Sequence, residues 1–370
     1  MVSHQKTILF CSLIRRRHIL LFIIAFIIIL YYCTSQTSPS EVFQYPCYMD
    51  SLGESSIRGL ERLEDVLLSD ISPPPGKSIF FHETKCHSTD TPNIFNLSAR
   101  QACSIESAAL NNPNFQVYLL FATPTYTSDD QKNPILDALR SYKNINLRYL
   151  NIWRYAKDTP IEEWVKKGDV FQSKFLTEHM SDLLRLITLY RFGGIYMDLD
   201  VVVLRSMELV PLNYVGAHDN VTLGNAVISV EPIGIGHEIS ELFLDYYQKH
   251  YSADVYVSNG PTLVSHVVKR FCNHTSMKQM QEDPKNCRGF KVFNETAFYP
   301  LQWPQWQHFI LPEFKKDTLE KTKDSYLIHF WNKSSYKTLF KVGTDNAYGS
   351  YASANCPKTY AAAAAAGTDF

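Results

Sequence analysis

The segment from Ser181 to Leu204, "SDLLRLITLYRFGGIYMDLDVVVL", decides how this chain is read. Leu183, Leu184, Leu186, Ile187 and Leu189 continue the longest helical pattern in the sequence, residues 174 to 192, and Gly193 and Gly194 end it. The following "IYMDLDVVVL" has the composition of a buried strand, yet it holds Asp198 and Asp200. Within a strand these two would point to one face. Two ionised carboxylates in a low-dielectric setting repel, so either one protonates or a cation joins them. Their hard oxygens match Mn²⁺ or Mg²⁺. At the carboxyl end of a sheet strand, such a site suits a nucleotide diphosphate. A D-x-D pair alone is a weak signal; the helix, glycine pair and strand around it give it weight.

Asp182 and Arg185 stand three residues apart on the same helix face. They read either as a surface ion pair of small energetic value or as part of a site. The apolar residues around them favour a buried helix and the second reading. Elsewhere the pattern alternates. "SIFFHE" (78–83), "FQVYLLFA" (115–122) and "INLRYLNI" (145–152) read as strands. Residues 99 to 110 carry helical spacing, and Thr159-Pro160-Ile161-Glu162 reads as a capping box opening another helix. This alternation predicts an α/β domain with a largely parallel sheet.

The 370 residues suffice for one large domain, and the near-balance of 36 basic and 37 acidic side chains leaves no footprint for nucleic acid. Ile19 to Cys33 is an unbroken apolar run behind Arg15, Arg16 and Arg17, with no acid before Glu41. This predicts a transmembrane signal anchor over 19–34, a cytosolic tail over 1–18 and a lumenal body: a single-pass type II membrane protein. A cleaved signal peptide is the alternative, but "YYCTSQTS" is a poor cleavage site. Residues 35–76 read as a lumenal stem closed by "SPPPGK", 77–360 as the catalytic domain and 361–370 as a low-complexity tail, either a short helix or unstructured. Past the anchor stand Cys47, Cys86, Cys103, Cys272, Cys287 and Cys356, an even set that fits disulfides. Cys272 and Cys287 are candidates to pair, as are Cys86 and Cys103; the connectivity stays open. Sequons at Asn96, Asn220, Asn273, Asn294 and Asn332 all lie on the lumenal side.

The Ser181–Leu204 segment resembles the D-x-D sugar-transferring domain of the alpha-1,4-glycosyltransferases. The resemblance continues through "FFHET", "CSIESAA", "NGPTLV", "FYPLQWPQW", "IHFWNKSS" and "NCPKTY", in the family's order, over roughly residues 78 to 360. It implies a Rossmann-like A-type glycosyltransferase fold in the Golgi membrane, Mn²⁺ (or Mg²⁺) and a UDP-sugar donor. It also implies retention of configuration in an alpha-1,4 linkage. The donor would be UDP-galactose or UDP-N-acetylgalactosamine, and the acceptor a galactose-terminated glycolipid of the lactosylceramide type. Family members using UDP-N-acetylglucosamine on glycoproteins supply the alternative, and an inactive lectin-like anchored protein another. A metal-dependent phosphoryl transferase lacks any P-loop or kinase signature here.

By resemblance, Asp198 contacts the donor sugar or ribose, and Asp200 ligates the metal with His329. Asp182 and Arg185 hold the donor sugar, and Lys333 faces the diphosphate. From the residues alone His329 reads as a core histidine of "SYLIHFW"; the family block turns the reading to a metal ligand. Asn225 and the Asn259-Gly260-Pro261 turn are candidates for the acceptor or the sugar face, with turn chemistry as the alternative. Trp303, Trp306 and Trp331 could stack on sugars or fill core. Asn332, a sequon inside a site block, is expected to stay unglycosylated if the site reading holds.

Overall fold

The computed structural model describes residues 24–28, 46–49, 59–86, 91–128, 132–283 and 285–370. Contacts divide the chain into residues 1–44 and 45–370. In the first unit residues 24–28 are helical and exposed; the remainder of the expected tail and anchor lies outside the described residues. Among the described residues, no helix is long and apolar enough to cross a membrane.

Twelve strands follow in the larger unit: β1 (Glu61–Arg62), β2 (Ser78–Glu83), β3 (Asn93–Ile94), β4 (Gln116–Phe121), β5 (Thr125–Thr127), β6 (Ile145–Tyr149), β7 (Gly194–Met197), β8 (Val201–Val203), β9 (Tyr214–Ala217), β10 (Leu223–Val230), β11 (Lys291–Phe293) and β12 (Leu327–His329). Seven form the central sheet in the order β11-β9-β10-β7-β2-β4-β6. Neighbours are parallel except where β10 lies antiparallel to both β7 and β9, so the expected largely parallel sheet is a mixed one. Alternate residues feed two cores: Phe80, Tyr118, Leu120 and Tyr196 face one way, and Ile79, Phe81, Val117, Leu119, Ile195 and Met197 the other. Burial on both faces explains why these strands read as continuous apolar runs.

The Leu176–Phe192 helix covers the first face and hands the chain to β7 through Gly193 and Gly194, at φ 60° and 90°. A Cβ on Gly194 would lie 2.4 Å from the Ser78 carbonyl oxygen, and one on Gly193 2.5 Å from Pro232 N. Only glycine allows both the backbone turn and the approach.

The expected strand through "IYMDLDVVVL" breaks at the carboxylates. Asp198 N–H still reaches Ala226 O (2.9 Å), but Val201 N–H turns back to Asp198 O (3.4 Å). After this turn β8 leaves the central sheet and pairs antiparallel with β12, Val201 opposite His329. The expected capping box is also absent. The Thr159 hydroxyl donates backwards to Ala156 O, and the helix starts at Glu162 without a side-chain cap.

Residues assigned to a stem from sequence belong partly to this unit. Leu63 N–H donates to Thr125 O, and Val66 N–H to Tyr149 O. The alanine-rich tail forms the Pro357–Ala366 helix, with Ala363 and Phe370 buried. Three disulfides join Cys47–Cys86, Cys103–Cys356 and Cys272–Cys287. The third is as expected, whereas Cys86 and Cys103 do not pair. Cys103 sits buried within the Ala99–Asn111 helix, where Cys356 reaches it from the far end of the sequence. The Cys47 segment instead lies at the exit of β2, where Tyr48 Oη donates to Thr84 O (2.8 Å). Each of the five sequon asparagines is exposed.

Candidate active site

Arg185 organises the buried half of the site. Its Nη1 lies 3.2 Å from Asp198 Oδ1, and its Nη2 lies 3.2 Å from Asp182 Oδ1, so the i, i+3 pair seen in the sequence is a buried one. Nη1 also donates to Asn225 O (2.6 Å), and Nη2 to Ser181 Oγ (3.0 Å). The guanidinium stacks 4.5 Å over the Tyr196 ring. Burial works against the Arg185 charge, but Asp198, Tyr196 and Asp182 outweigh it and hold its pKa above the usual arginine value. Burial pushes Asp182 up to about 6 against the pull of Arg185, with Asp198 adding to the rise. Asp182 Oδ1 also accepts from Asn225 Nδ2 (2.8 Å), and Asp198 Oδ1 from Tyr196 Oη (2.6 Å).

Asn225 reaches Asp182 from β10, whose register against β9 shifts between Leu223 and Ile228. Gly260 closes the same wall. A Cβ there would lie 2.4 Å from Asn225 Nδ2 and 2.7 Å from Asp182 Oδ1. It belongs to a single π-helical turn, Ser258–Thr262, in which Thr262 N–H donates to Val257 O (3.2 Å). Such turns recur at functional sites. Asn259 lies in the same turn but faces elsewhere: its amide donates to Ser252 O (2.7 Å) and its Oδ1 accepts from Ser252 N–H (3.0 Å). This clamps the 252–259 loop and leaves Asn259 2% exposed.

The other half forms where the Asp198–Asp200 turn meets β12. Asp200 Oδ1 lies 3.1 Å from His329 Nε2, and Oδ2 accepts from Asn332 N–H (2.7 Å). The left-handed backbone of Trp331 (φ 54°) carries the chain from His329 round to Asn332. Burial would raise Asp200 and lower His329. Their mutual attraction reverses both, leaving the carboxyl below and the imidazole above its ordinary range. One ligand atom each from Asp198, Asp200 and His329 lies within 4.8 Å of the others. Two hard carboxylates and an imidazole suit a small divalent cation, and the turn places them as the expected strand could not.

Lys333 stands at the rim. Its Nζ donates to Glu178 Oε1 (2.7 Å) and lies 4.8 Å over the Tyr256 ring. Trp331 Nε1 donates to Leu301 O (2.9 Å), and its ring meets His329 edge-on at 4.3 Å, so it serves as packing around the histidine. Trp303 is exposed. Sequence reasoning missed Ser181, Tyr196, Glu178 and Tyr299. Tyr299 Oη accepts from Ala226 N–H (3.2 Å), and its ring meets His329 edge-on. Glu178 carried a signal in hindsight, standing one turn before Asp182 on the same helix.

A carboxylate–imidazole cluster at the carboxyl edge of a mixed sheet, backed by a buried Asp–Arg pair, has the chemistry to hold a divalent cation and an anionic ligand. Residues 98–222 match the glycosyltransferase sugar-binding region containing the DXD motif, and residues 232–363 match the alpha 1,4-glycosyltransferase conserved region. The chain thus carries both regions, its relatives are named glycosyltransferases, and it is a hexosyltransferase similar to the alpha-1,4-glycosyltransferases. It is 28% identical over 289 residues to lactosylceramide 4-alpha-galactosyltransferase of Rattus norvegicus, covering 78% of this chain and 76% of the relative. It is 23% identical over 263 residues to alpha-1,4-N-acetylglucosaminyltransferase of Homo sapiens, covering 70% and 74%. A solved glycosyltransferase of Streptococcus pneumoniae overlaps 80% of this chain and 64% of its own at 12% identity and a TM-score of 0.38, too slight to carry an argument.

Proposed function

We propose that this enzyme transfers galactose or N-acetylgalactosamine from its UDP carrier to a galactose-terminated glycolipid, forming an alpha-1,4 linkage with retained configuration. The observation that carries the reading is the convergence of Asp198, Asp200 and His329 within 4.8 Å beside the buried Asp182–Arg185 pair. The A-type glycosyltransferase fold is part of this reading, supported by the position of the cluster at the carboxyl end of β7. The Golgi type II topology rests on the basic residues before the apolar run and on the three disulfides beyond it.

Asp198, Asp200 and His329 would hold Mn²⁺ or Mg²⁺, which when bound neutralises charge developing on the departing diphosphate. Arg185 fixes Asp198 and Asp182 in place, and Asn225 and Gly260 fix the side of Asp182 that receives the donor sugar. Lys333 exchanges Glu178 for a phosphate oxygen when the donor arrives. The acceptor hydroxyl attacks C1 from the face that UDP leaves. The C1–O(phosphate) bond breaks, the C1–O(acceptor) bond forms, and the hydroxyl proton passes to a phosphate oxygen. Asp182 and Asp198 are both committed to Arg185, which disfavours either as a covalent nucleophile. A glycosyl adduct trapped on a side chain would contradict this route.

The test offers UDP-galactose, UDP-N-acetylgalactosamine and UDP-N-acetylglucosamine, with Mn²⁺ or chelator and a lactosylceramide-type acceptor. Metal-dependent transfer from a galacto-configured donor is expected. Transfer from UDP-N-acetylglucosamine alone would move the assignment to that branch of the family. Glycan binding without turnover of any donor would make the protein lectin-like.

A further inference from the structure

Two exposed segments flank the mouth of the site. One is the loop before the π-helical turn, with Val255 51% and Val257 46% exposed on either side of Tyr256. The other follows Asn332, with Tyr336 53% and Leu339 59% exposed. They meet where Lys333 Nζ lies 4.8 Å over the Tyr256 ring. Lys333 and Tyr336 are three residues apart across the short Asn332–Ser335 helix, which turns them to one side. The second segment is tied to the chemistry through Asn332 N–H on Asp200 Oδ2 (2.7 Å).

The composition of this rim is unusual for a water-facing surface. Residues 331–344 hold Lys333, Lys337 and Lys341 and no acid. Lys337 Nζ stands 5.5 Å over the Tyr336 ring. Among the described residues, neither Lys337 nor Lys341 has a carboxylate partner, while Lys174 neutralises Asp254 beside the first segment (2.7 Å). Exposed aliphatic and tyrosine side chains interleaved with unpaired lysines are the chemistry of a bilayer interface. The rings and aliphatic groups enter the headgroup boundary, and the ammonium groups meet anionic lipid.

We propose that residues 255–257 and 336–341 rest on a bilayer bearing anionic headgroups, so that the site opens onto sugars presented at the membrane surface. The proposal deepens the glycolipid reading and rests on it for its purpose, but contact with lipid can be measured separately.

The full chain would be reconstituted into phosphatidylcholine vesicles with and without phosphatidylserine. A Tyr336→Trp variant should be quenched by brominated lipid beyond the parent protein, more so with phosphatidylserine and less at high salt. Transfer would then be compared between vesicle-embedded lactosylceramide and soluble lactose. Val255→Ser/Val257→Ser and Tyr336→Ser/Leu339→Ser should lose roughly tenfold on the embedded acceptor and leave the soluble one unchanged. Lys337→Glu/Lys341→Glu should remove the phosphatidylserine dependence. No quenching beyond the parent, or equal losses on both acceptors, overturns the rim. Quenching as expected, with no transfer by the parent to embedded acceptor, overturns the glycolipid reading while the rim stands.

Discussion

The two halves of the site are built by opposite means. Around Arg185, a helix and two neighbouring strands of one sheet supply the parts, and the guanidinium is met by Asp182, Asp198, Ser181 and Asn225. Around Asp200, a turn and a short strand of a second sheet meet, and His329 Nδ1 is buried without a partner. The first half is finished within the protein. In the second, Asp200 is held by His329 and the Asn332 N–H, and Asp198 by Arg185 and Tyr196, yet two carboxylates and an imidazole still converge, which is how a site looks when a cation comes from outside. The site therefore combines a preorganised wall with a receptive edge.

The strongest way to break this comparison is to remove Arg185. Arg185→Ala leaves Asp182 and Asp198 facing each other in a buried setting and should destabilise the fold by about 3–5 kcal/mol, read by urea denaturation. Asp200→Ala, at the receptive edge, should change stability far less. Equal losses would erase the distinction. Gly260→Ala comes next, since its Cβ would force Asn225 and Asp182 aside. It should cost about 1–3 kcal/mol by overpacking and raise KM for the donor sugar.

A pH series sharpens the contrast from the wall side. His82, bonded to Thr188 Oγ1 (3.0 Å), is pushed down to about 3 by burial, with Arg185 adding to the shift. Unfolded His82 takes up its proton near 6.5, whereas the folded side chain refuses it until about pH 3. Stability present at neutral pH is therefore lost as pH falls from about 6.5 toward 3. His82→Gln should flatten that part of a thermal-melting profile. The smallest effect belongs to the rim: Glu178→Gln should change stability by less than about 1 kcal/mol, because its pair with Lys333 is exposed. Freed of its carboxylate, Lys333 should bind the donor diphosphate more tightly, seen as a lower KM.

The wall was far more legible in the sequence than the edge. The Leu176–Phe192 helix, the glycine pair and β7 are consecutive, and local periodicity reports them directly. Asp182 and Arg185 followed from helical spacing together with the apolar residues around them. The turn at Asp198–Asp200 did not, because "IYMDLDVVVL" satisfies strand composition on both sides of the break. Departure from the sheet is enforced by pairing with β12, more than 120 residues away. Cys103 eluded pairing for the same reason, its partner lying 253 residues on. Asn259 misled because an Asn-Gly-Pro turn signals a loop without saying which way the amide points. Glu178 stands one turn before Asp182, but its pairing could not be read, because its partner, Lys333, is 155 residues distant.

The central claim is that Asp198, Asp200 and His329 together take a divalent cation with the nucleotide diphosphate. It is tested most directly by titrating Mn²⁺ into the full-length protein with UDP present. The account predicts one ion per chain, abolished by Asp200→Asn and weakened by His329→Ala, with stoichiometry unchanged in Glu178→Gln. Undiminished Mn²⁺ binding in folded Asp200→Asn and His329→Ala proteins would contradict it.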